Sequence, residues 1–145
     1  MGNVRRATPD DIGALFSLET ECFSSPWSME AFAESMREGM NVFLVYEIDG
    51  KVVGYVGGVC ALDECSITNV ATSAEYRCRG VATSLLCALE STVAERGVRD
   101  IFLEVRVSNA RAISVYEGRG YERCGVRRNF YRKPTEDAYV YKKSV

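Results

Sequence analysis

Histidine is absent from this chain of 145 residues. Its absence excludes Ser-His-Asp and Cys-His nucleophile systems, imidazole zinc ligands and histidine general bases. Any acid–base chemistry must therefore be carried by Glu, Asp, Tyr, Cys or Lys side chains.

No two of the six cysteines form a C-x-x-C pair, so the sequence predicts no structural zinc site and no thioredoxin-type motif. The N-terminal arginines are not followed by an apolar stretch, so we expect neither a secretory signal nor a disulfide framework. The prediction is a cytoplasmic protein with reduced thiols and no metal.

Long hydrophobic runs are also missing, because none approaches the roughly 18 residues of a membrane span. The 18 basic and 20 acidic residues give a net charge of −2, which argues against nucleic-acid binding through a basic face. Hydrophobic residues make up 47% of the chain, an average value for a globular protein. We therefore predict one domain over residues 1–145, without a membrane or nucleic-acid partner.

Local signals predict the element order β, α, α, β, β, β, α, β, α, β, β. Thr8, Ser28 and Asn109 are typical helix N-caps, and Asp49-Gly50 is typical of a tight hairpin turn. Strands and helices in this order predict an α/β (α+β) fold, with a mixed sheet covered by helices on both faces.

Three strands carry more specific expectations. The strand over 51–62 contains three glycines, which predict a bulge or a close backbone approach. The strand over 101–105 is apolar and is predicted to be buried on both faces. The last two strands are predicted over about 121–126 and 138–142, with a longer connection between them.

A basic, glycine-containing turn, Arg77-Cys78-Arg79-Gly80, precedes the longest predicted helix. The unpaired N–H groups and the dipole of a helix start favour an anion, and Gly80 permits close backbone approach. This pattern predicts a pyrophosphate site, but it lacks the G-K-[ST] of a P-loop. A solvated basic helix start with an ordinary turn glycine is the alternative.

Two further residues are candidates for acid–base chemistry. Glu104 stands inside an apolar strand, where a carboxylate is costly unless it is paired or functional. It could instead face outward or pair with Arg106, which lies on the same face of the strand. Tyr116 follows on the next helix, where a lone tyrosine is more often part of the core.

These segments together resemble the GCN5-related N-acetyltransferase (GNAT) superfamily, whose signature [QR]-x-x-G-x-[GA] matches residues 77–82. Within it the chain is similar to the RimI type, the ribosomal-protein-alanine N-acetyltransferases. The segments that carry this similarity are S-S-P-W-S at 24–28, N-V-A at 69–71, L-E-V-R-V-S-N-A-R-A-I at 103–113, Y-E at 116–117 and R-R-N-F-Y at 127–131.

The resemblance implies the GNAT fold, a mostly antiparallel seven-stranded sheet with splayed central strands. It also implies acetyl-CoA as co-substrate and direct transfer in a ternary complex, with Glu104 as general base and Tyr116 as general acid. The residues it implies for binding acetyl-CoA are Val70, Ala71, Thr72, Arg77, Cys78, Arg79, Gly80, Val81, Ala82 and Asn109.

The implied partner is the N-terminal peptide of a small-subunit ribosomal protein, acetylated on its alanine by a monomer or weak dimer. Glu19 and Glu21 lie beside the 23–27 loop and suggest a basic residue after that alanine. Two alternatives stay open: an acetyltransferase for other N-terminal peptides or small amines, and a non-catalytic acyl-CoA-binding module. A module that only binds would need neither Glu104 nor Tyr116.

Overall fold

The computed structural model describes residues 2–145, so Met1, the first residue of the predicted domain, lies outside the described residues. The strands are β1 (Asn3–Arg6), β2 (Val42–Ile48), β3 (Lys51–Ala61), β4 (Glu64–Thr72), β5 (Asp100–Arg106), β6 (Glu122–Tyr131) and β7 (Glu136–Ser144). The helices are α1 (Ile12–Cys22), α2 (Met29–Arg37), α3 (Val81–Glu95) and α4 (Ala110–Gly118).

The seven strands form one sheet in the order β1-β2-β3-β4-β5-β7-β6. Neighbouring strands are antiparallel, except that β4 and β5 run parallel to each other. The parallel pair needs a crossover, which α3 supplies between the two strands. The predicted element order and the mixed, mostly antiparallel sheet are confirmed.

Strand β2 lies between two hydrophobic clusters, and its successive side chains point alternately into one and the other. Val42, Leu44 and Tyr46 pack with residues of α3 and α4, whereas Phe43 and Val45 pack with α1 and α2. Because successive strand residues point to opposite faces, the helices cover both faces of the sheet as predicted.

The local signals that predicted helix starts and turns are also confirmed. The Ser28 hydroxyl accepts a hydrogen bond from the Ala31 N–H at 3.0 Å, and the Asn109 side-chain oxygen accepts one from the Ala112 N–H at 3.2 Å. Asp49 has a positive φ of 49° and the adjacent glycine one of 80°, as a two-residue hairpin turn between right-twisted strands requires.

The prediction for β5 was wrong in one respect. Ile101, Leu103 and Val105 are buried, but Phe102, Glu104 and Arg106 on the opposite face are only partly buried. The start of β5 reads as apolar on both faces because Phe102 lies between Ile101 and Leu103. In the fold, however, the face that carries Phe102 is only partly covered by other elements.

The C-terminal hairpin also differs from the prediction. β6 continues to Tyr131, five residues past the predicted end at 126, and the connection to β7 is short. The predicted longer connection was wrong, because residues 127–131 extend β6, an edge strand whose side chains are nearly all exposed. Polar residues are typical of such an edge.

Within residues 2–145, no helix combines the length and the hydrophobicity needed to cross a membrane.

Candidate active site

The central strands β4 and β5 separate half-way along their length. They pair from Glu64 opposite Asp100 to Ile67 opposite Leu103, and no further. A bulge in β4 opposite Gly57 and Gly58 accompanies the separation, as the glycines of β3 predicted. A Cβ on Gly57 would lie 2.8 Å from the Thr68 hydroxyl, so this position requires a glycine. Beyond the bulge, no strand among the described residues pairs with the β5-facing backbone groups of residues 69–72.

Two grooves open where the strands part. The first, which we call the α3 groove, has a volume of about 640 Å³ and lies between the end of β4 and the starts of α3 and α4. Nine of the ten residues implied for acetyl-CoA binding line it: Val70, Ala71, Thr72, Arg77, Cys78, Gly80, Val81, Ala82 and Asn109.

The turn before α3 has the backbone form that the glycine suggested. Cys78 has a φ of 62° and Gly80 one of 80°, and α3 begins at the next residue. No heavy atom lies within 4 Å of the position where a Cβ on Gly80 would stand. The first N–H groups of α3 have no partner within the helix, which makes the turn suitable for an anion such as a pyrophosphate.

The two arginines of this turn do not simply face the solvent. The Arg77 guanidinium donates to the Thr72 carbonyl at 3.3 Å and to Cys22 Sγ at 3.7 Å, so it joins the turn to the end of β4 and to α1. Arg79 does not line the groove, and its guanidinium lies 5.5 Å from the centre of the Tyr76 ring. The backbone of the turn is therefore better placed than its side chains to hold an anion.

The second groove, which we call the hairpin groove, has a volume of about 560 Å³. The loop between α1 and α2 forms one wall with Trp27, and the β6–β7 hairpin forms another with Tyr131 and Arg132. Asn69 of β4 and Glu104 of β5 lie on the two sides of the opening between the strands.

Glu104 keeps about a quarter of its side chain exposed, and the Arg127 Nε lies 3.5 Å from its carboxylate. Its charge contributes to a raised pKa for Tyr131, about 12, although burial of the tyrosine is the larger cause. Glu104 is therefore a carboxylate within the groove that solvent or a bound molecule can reach.

Tyr116 lies in the wall that the two grooves share, together with five other residues. It is buried and packs edge-on against Tyr121 with ring centres 6.0 Å apart, and its hydroxyl has no hydrogen-bond partner among residues 2–145. Burial raises the pKa of its hydroxyl, which therefore stays protonated at neutral pH. The other residues of the shared wall are Cys22, Phe23, Val70, Asn109 and Ala112.

Arg106 does not pair with Glu104, which was one of the open interpretations of the sequence. Its guanidinium instead donates to Glu136 at 3.1 Å and to the carbonyls of Arg132 and Pro134, and it lies 4.4 Å from the centre of the Tyr131 ring. Glu136 in turn accepts from the Ser108 N–H at 2.8 Å. Arg106 thus fixes the hairpin against β5.

The two acids beside the 23–27 loop line neither groove. Glu19 is fully buried in α1, and the Glu21 carboxylate accepts a hydrogen bond from the Ala74 N–H at 2.8 Å. The argument for a basic residue after the substrate's alanine therefore loses its support.

Sequence reasoning missed the role of Glu19 in shaping the hairpin groove. Its carboxylate accepts from the Trp27 N–H at 2.9 Å, from the Asn69 amide at 2.7 Å and from the Tyr55 hydroxyl. A usable signal was present, because Leu15, Leu18, Glu19 and Cys22 share one helix face. An acid on an apolar stripe predicts a buried and hydrogen-bonded group.

Comparison with known proteins decides the family. Residues 12–121 match the sequence model of the acetyltransferase (GNAT) family. The chain belongs to this family. Because this is a family of acetyltransferases, the chain is an acetyltransferase enzyme, and the non-catalytic alternative is set aside. Acetyltransferases of the GNAT family use acetyl-CoA. No group of three or more potential metal ligands occurs among residues 2–145.

The RimI-type resemblance is confirmed by individual relatives. The chain is 33% identical over 137 residues to the [ribosomal protein bS18]-alanine N-acetyltransferase of Escherichia coli K12, covering 94% of this chain and 90% of that protein. The crystal structure of the ribosomal-protein-S18-alanine N-acetyltransferase from E. coli superposes with a TM-score of 0.92 at 29% identity, covering 100% and 94% of the two chains. Ard1 from Thermoplasma volcanium gives 0.92 at 27% identity, covering 99% and 97%.

Proposed function

We propose that this protein transfers the acetyl group of acetyl-CoA to the α-amine of an N-terminal alanine on a small-subunit ribosomal protein. One observation supports it most: two grooves of comparable size at the β4–β5 opening share six lining residues and so meet at the wall that contains Tyr116. Such an arrangement brings a donor and an acceptor together at one point without a covalent enzyme intermediate. The E. coli relatives described above have the corresponding name and fold.

In this proposal the α3 groove holds acetyl-CoA. The helix start after Gly80 supplies N–H groups for the pyrophosphate, and the free edge of residues 69–72 can pair with the amide-rich pantetheine arm. Backbone N–H groups of the same edge can polarise the thioester oxygen, which gains negative charge in the transition state. Asn109 caps α4 beside the place where the grooves meet.

The hairpin groove holds the acceptor, and Glu104 acts there as general base. A protein α-amine has a pKa of about 8 and attacks only when neutral. The nitrogen forms the new C–N bond, and the proton it releases passes to the Glu104 carboxylate directly or through a water. The exposed part of this side chain gives it the access that the role needs.

Tyr116 acts as general acid in the same transfer. When the C–S bond breaks, the leaving thiolate needs a proton, and the hydroxyl in the shared wall can supply it. A tyrosine hydroxyl is protonated at neutral pH and therefore has a proton to give to the thiolate. No cysteine is needed as a nucleophile.

The proposal is tested with acetyl-CoA and a panel of synthetic acceptors, read by mass spectrometry. The panel holds peptides that begin with Ala-Arg, Ala-Ala and Ala-Glu, the same peptides with a blocked N-terminus and free lysines, and a polyamine. We expect acetylation of the α-amine in the alanine peptides and much slower reaction elsewhere. Preferential lysine or polyamine acetylation would show that the acceptor class is wrong.

A further inference from the structure

The orientation of one amide side chain in the hairpin groove, that of Asn69, is fixed by a hydrogen bond to the buried residue Glu19. Asn69 lies on β4 at the edge of the opening, directly before the residues that line the α3 groove. Its Nδ2 donates to the Glu19 carboxylate at 2.7 Å. Because the amide nitrogen makes this hydrogen bond, it faces Glu19 and the amide oxygen faces away from it.

Glu19 is held in turn by the surrounding elements. Besides Asn69, it accepts from the Tyr55 hydroxyl on β3 and from the Trp27 N–H in the loop that forms one wall of the groove. It is fully buried and pairs with no cation among residues 2–145. A buried carboxylate with three donors and no counter-ion can rotate only by losing hydrogen bonds, which is costly inside a protein.

The oxygen on the other side of the amide is free. Among residues 2–145 no group donates to Asn69 Oδ1, and this atom is not one of the buried polar atoms without a partner. It is therefore an accessible acceptor in a groove that also contains the Glu104 carboxylate on the neighbouring strand. A ligand that enters between them meets hydrogen-bond acceptors from both strands.

We propose that Asn69 Oδ1 accepts a hydrogen bond from the substrate's α-amine, and that Glu19 is a positioning residue that presents this oxygen. The proposal deepens the proposed function and rests on it. An α-amine carries several N–H donors, so one can bond to Asn69 while another points toward Glu104. Two fixed acceptors on opposite strands orient the nitrogen and favour a free amine over a blocked one.

The test compares two ligands that differ only in this amine. A peptide that begins with alanine and its desamino analogue, with a propanoyl group in place of alanine, are titrated calorimetrically into the full-length protein saturated with CoA. No transfer occurs with CoA, so binding alone is measured. The variants are Asn69→Ala, Asn69→Ser, which keeps a donor for Glu19 but removes the carbonyl oxygen, and Glu19→Gln. Asn41→Ala is the control, because Asn41 is also buried and hydrogen-bonded but lines neither groove.

We expect the wild type to prefer the amine peptide, and both Asn69 variants to lower this preference about tenfold, as loss of a charged hydrogen bond predicts. Glu19→Gln should lower it by a smaller factor, and Asn41→Ala should leave it unchanged. Equal weakening of both ligands, or an unchanged preference in both Asn69 variants, would overturn the inference by showing a structural role. A wild type that binds neither peptide would instead overturn the proposed acceptor, before any variant is measured.

Discussion

The two grooves of this enzyme are built from different parts of the polypeptide. The α3 groove is formed largely by backbone: a turn with two left-handed residues, the first turn of a helix and an unpaired strand edge. The hairpin groove is formed by side chains from four segments that are far apart in the sequence, among them Trp27, Asn69, Glu104 and Tyr131.

This difference suits what each groove would bind. A backbone site offers a fixed array of N–H groups and suits a co-substrate that is the same in every turnover. A side-chain site can be altered by single substitutions, which suits the part of the reaction that differs between relatives. Changes near Gly80 should therefore alter donor binding, whereas changes at Glu104 or Asn69 should alter acceptor binding or turnover.

The largest effect is expected for Glu104→Gln, which keeps the shape of the side chain and removes the proposed base. Turnover should fall about 10²–10⁴-fold, while acetyl-CoA affinity stays close to that of the parent. The loss should shrink above the amine pKa of about 8, because the acceptor is then already neutral. Steady-state rates from pH 6 to 10 measure this, with Glu122→Gln on exposed β6 as control. A Glu104→Gln rate within threefold of the parent at every pH would place the base elsewhere.

Tyr116→Phe should slow turnover by about 10- to 100-fold. Raising the pH should not restore it, because protonation of the leaving thiolate becomes harder as protons become scarce. Tyr121→Phe is the matched control: the two rings are in contact, and the Tyr121 hydroxyl is buried without a partner and lines neither groove. Equal losses in the two variants would assign Tyr116 to packing, and a high-pH recovery like that of Glu104→Gln would contradict its role as acid.

The α3 groove could be predicted from the sequence better than the hairpin groove, because its residues lie close together in the sequence. The turn at 77–80 and the start of α3 are contiguous, so one short segment carries the whole signal and nine of ten implied residues line one groove. The hydrogen bond between Glu19 and Asn69 spans 50 residues, and that between Arg106 and Glu136 spans 30. No local pattern contains both partners of such a contact.

The mistakes about strands have the same cause. The burial of Phe102 and Glu104 depends on how much of that sheet face other elements cover, and the separation of β4 from β5 is associated with a bulge opposite Gly57 on another strand. The length of β6 depends on its pairing with β7, not on its own polar residues. The sequence patterns of β5 and β6 describe each strand alone and contain neither fact.

A smaller effect is expected for Gly80→Val. The backbone there has a φ of 80°, which a β-branched residue adopts only under strain, so the first N–H groups of α3 should shift. The acetyl-CoA dissociation constant should rise about tenfold or more, which corresponds to about 1.4 kcal/mol. Gly97→Val is the control, since Gly97 lies just past the other end of α3 with a φ of 92° and open space around it. Both variants should be less stable than the parent, but calorimetry should show weaker acetyl-CoA binding only for Gly80→Val. Equal acetyl-CoA affinities in the two variants would show that the turn is not part of the donor site.

The smallest effect is expected for Arg127→Ala. The guanidinium lies 3.5 Å from the Glu104 carboxylate, but 59% of the arginine side chain is exposed, so solvent screens the pair. Exposed pairs of this kind contribute at most about 1 kcal/mol, so kcat/KM for an alanine peptide should change less than about fivefold. Arg128→Ala, the exposed neighbour, is the matched control. If Arg127→Ala raised KM more than tenfold without changing kcat, and Arg128→Ala did not, the result would mean that Arg127 contacts the acceptor itself. In that case Arg127 would belong to the hairpin groove, and the side-chain site would extend further along β6 than Phe130 and Tyr131, which already line it.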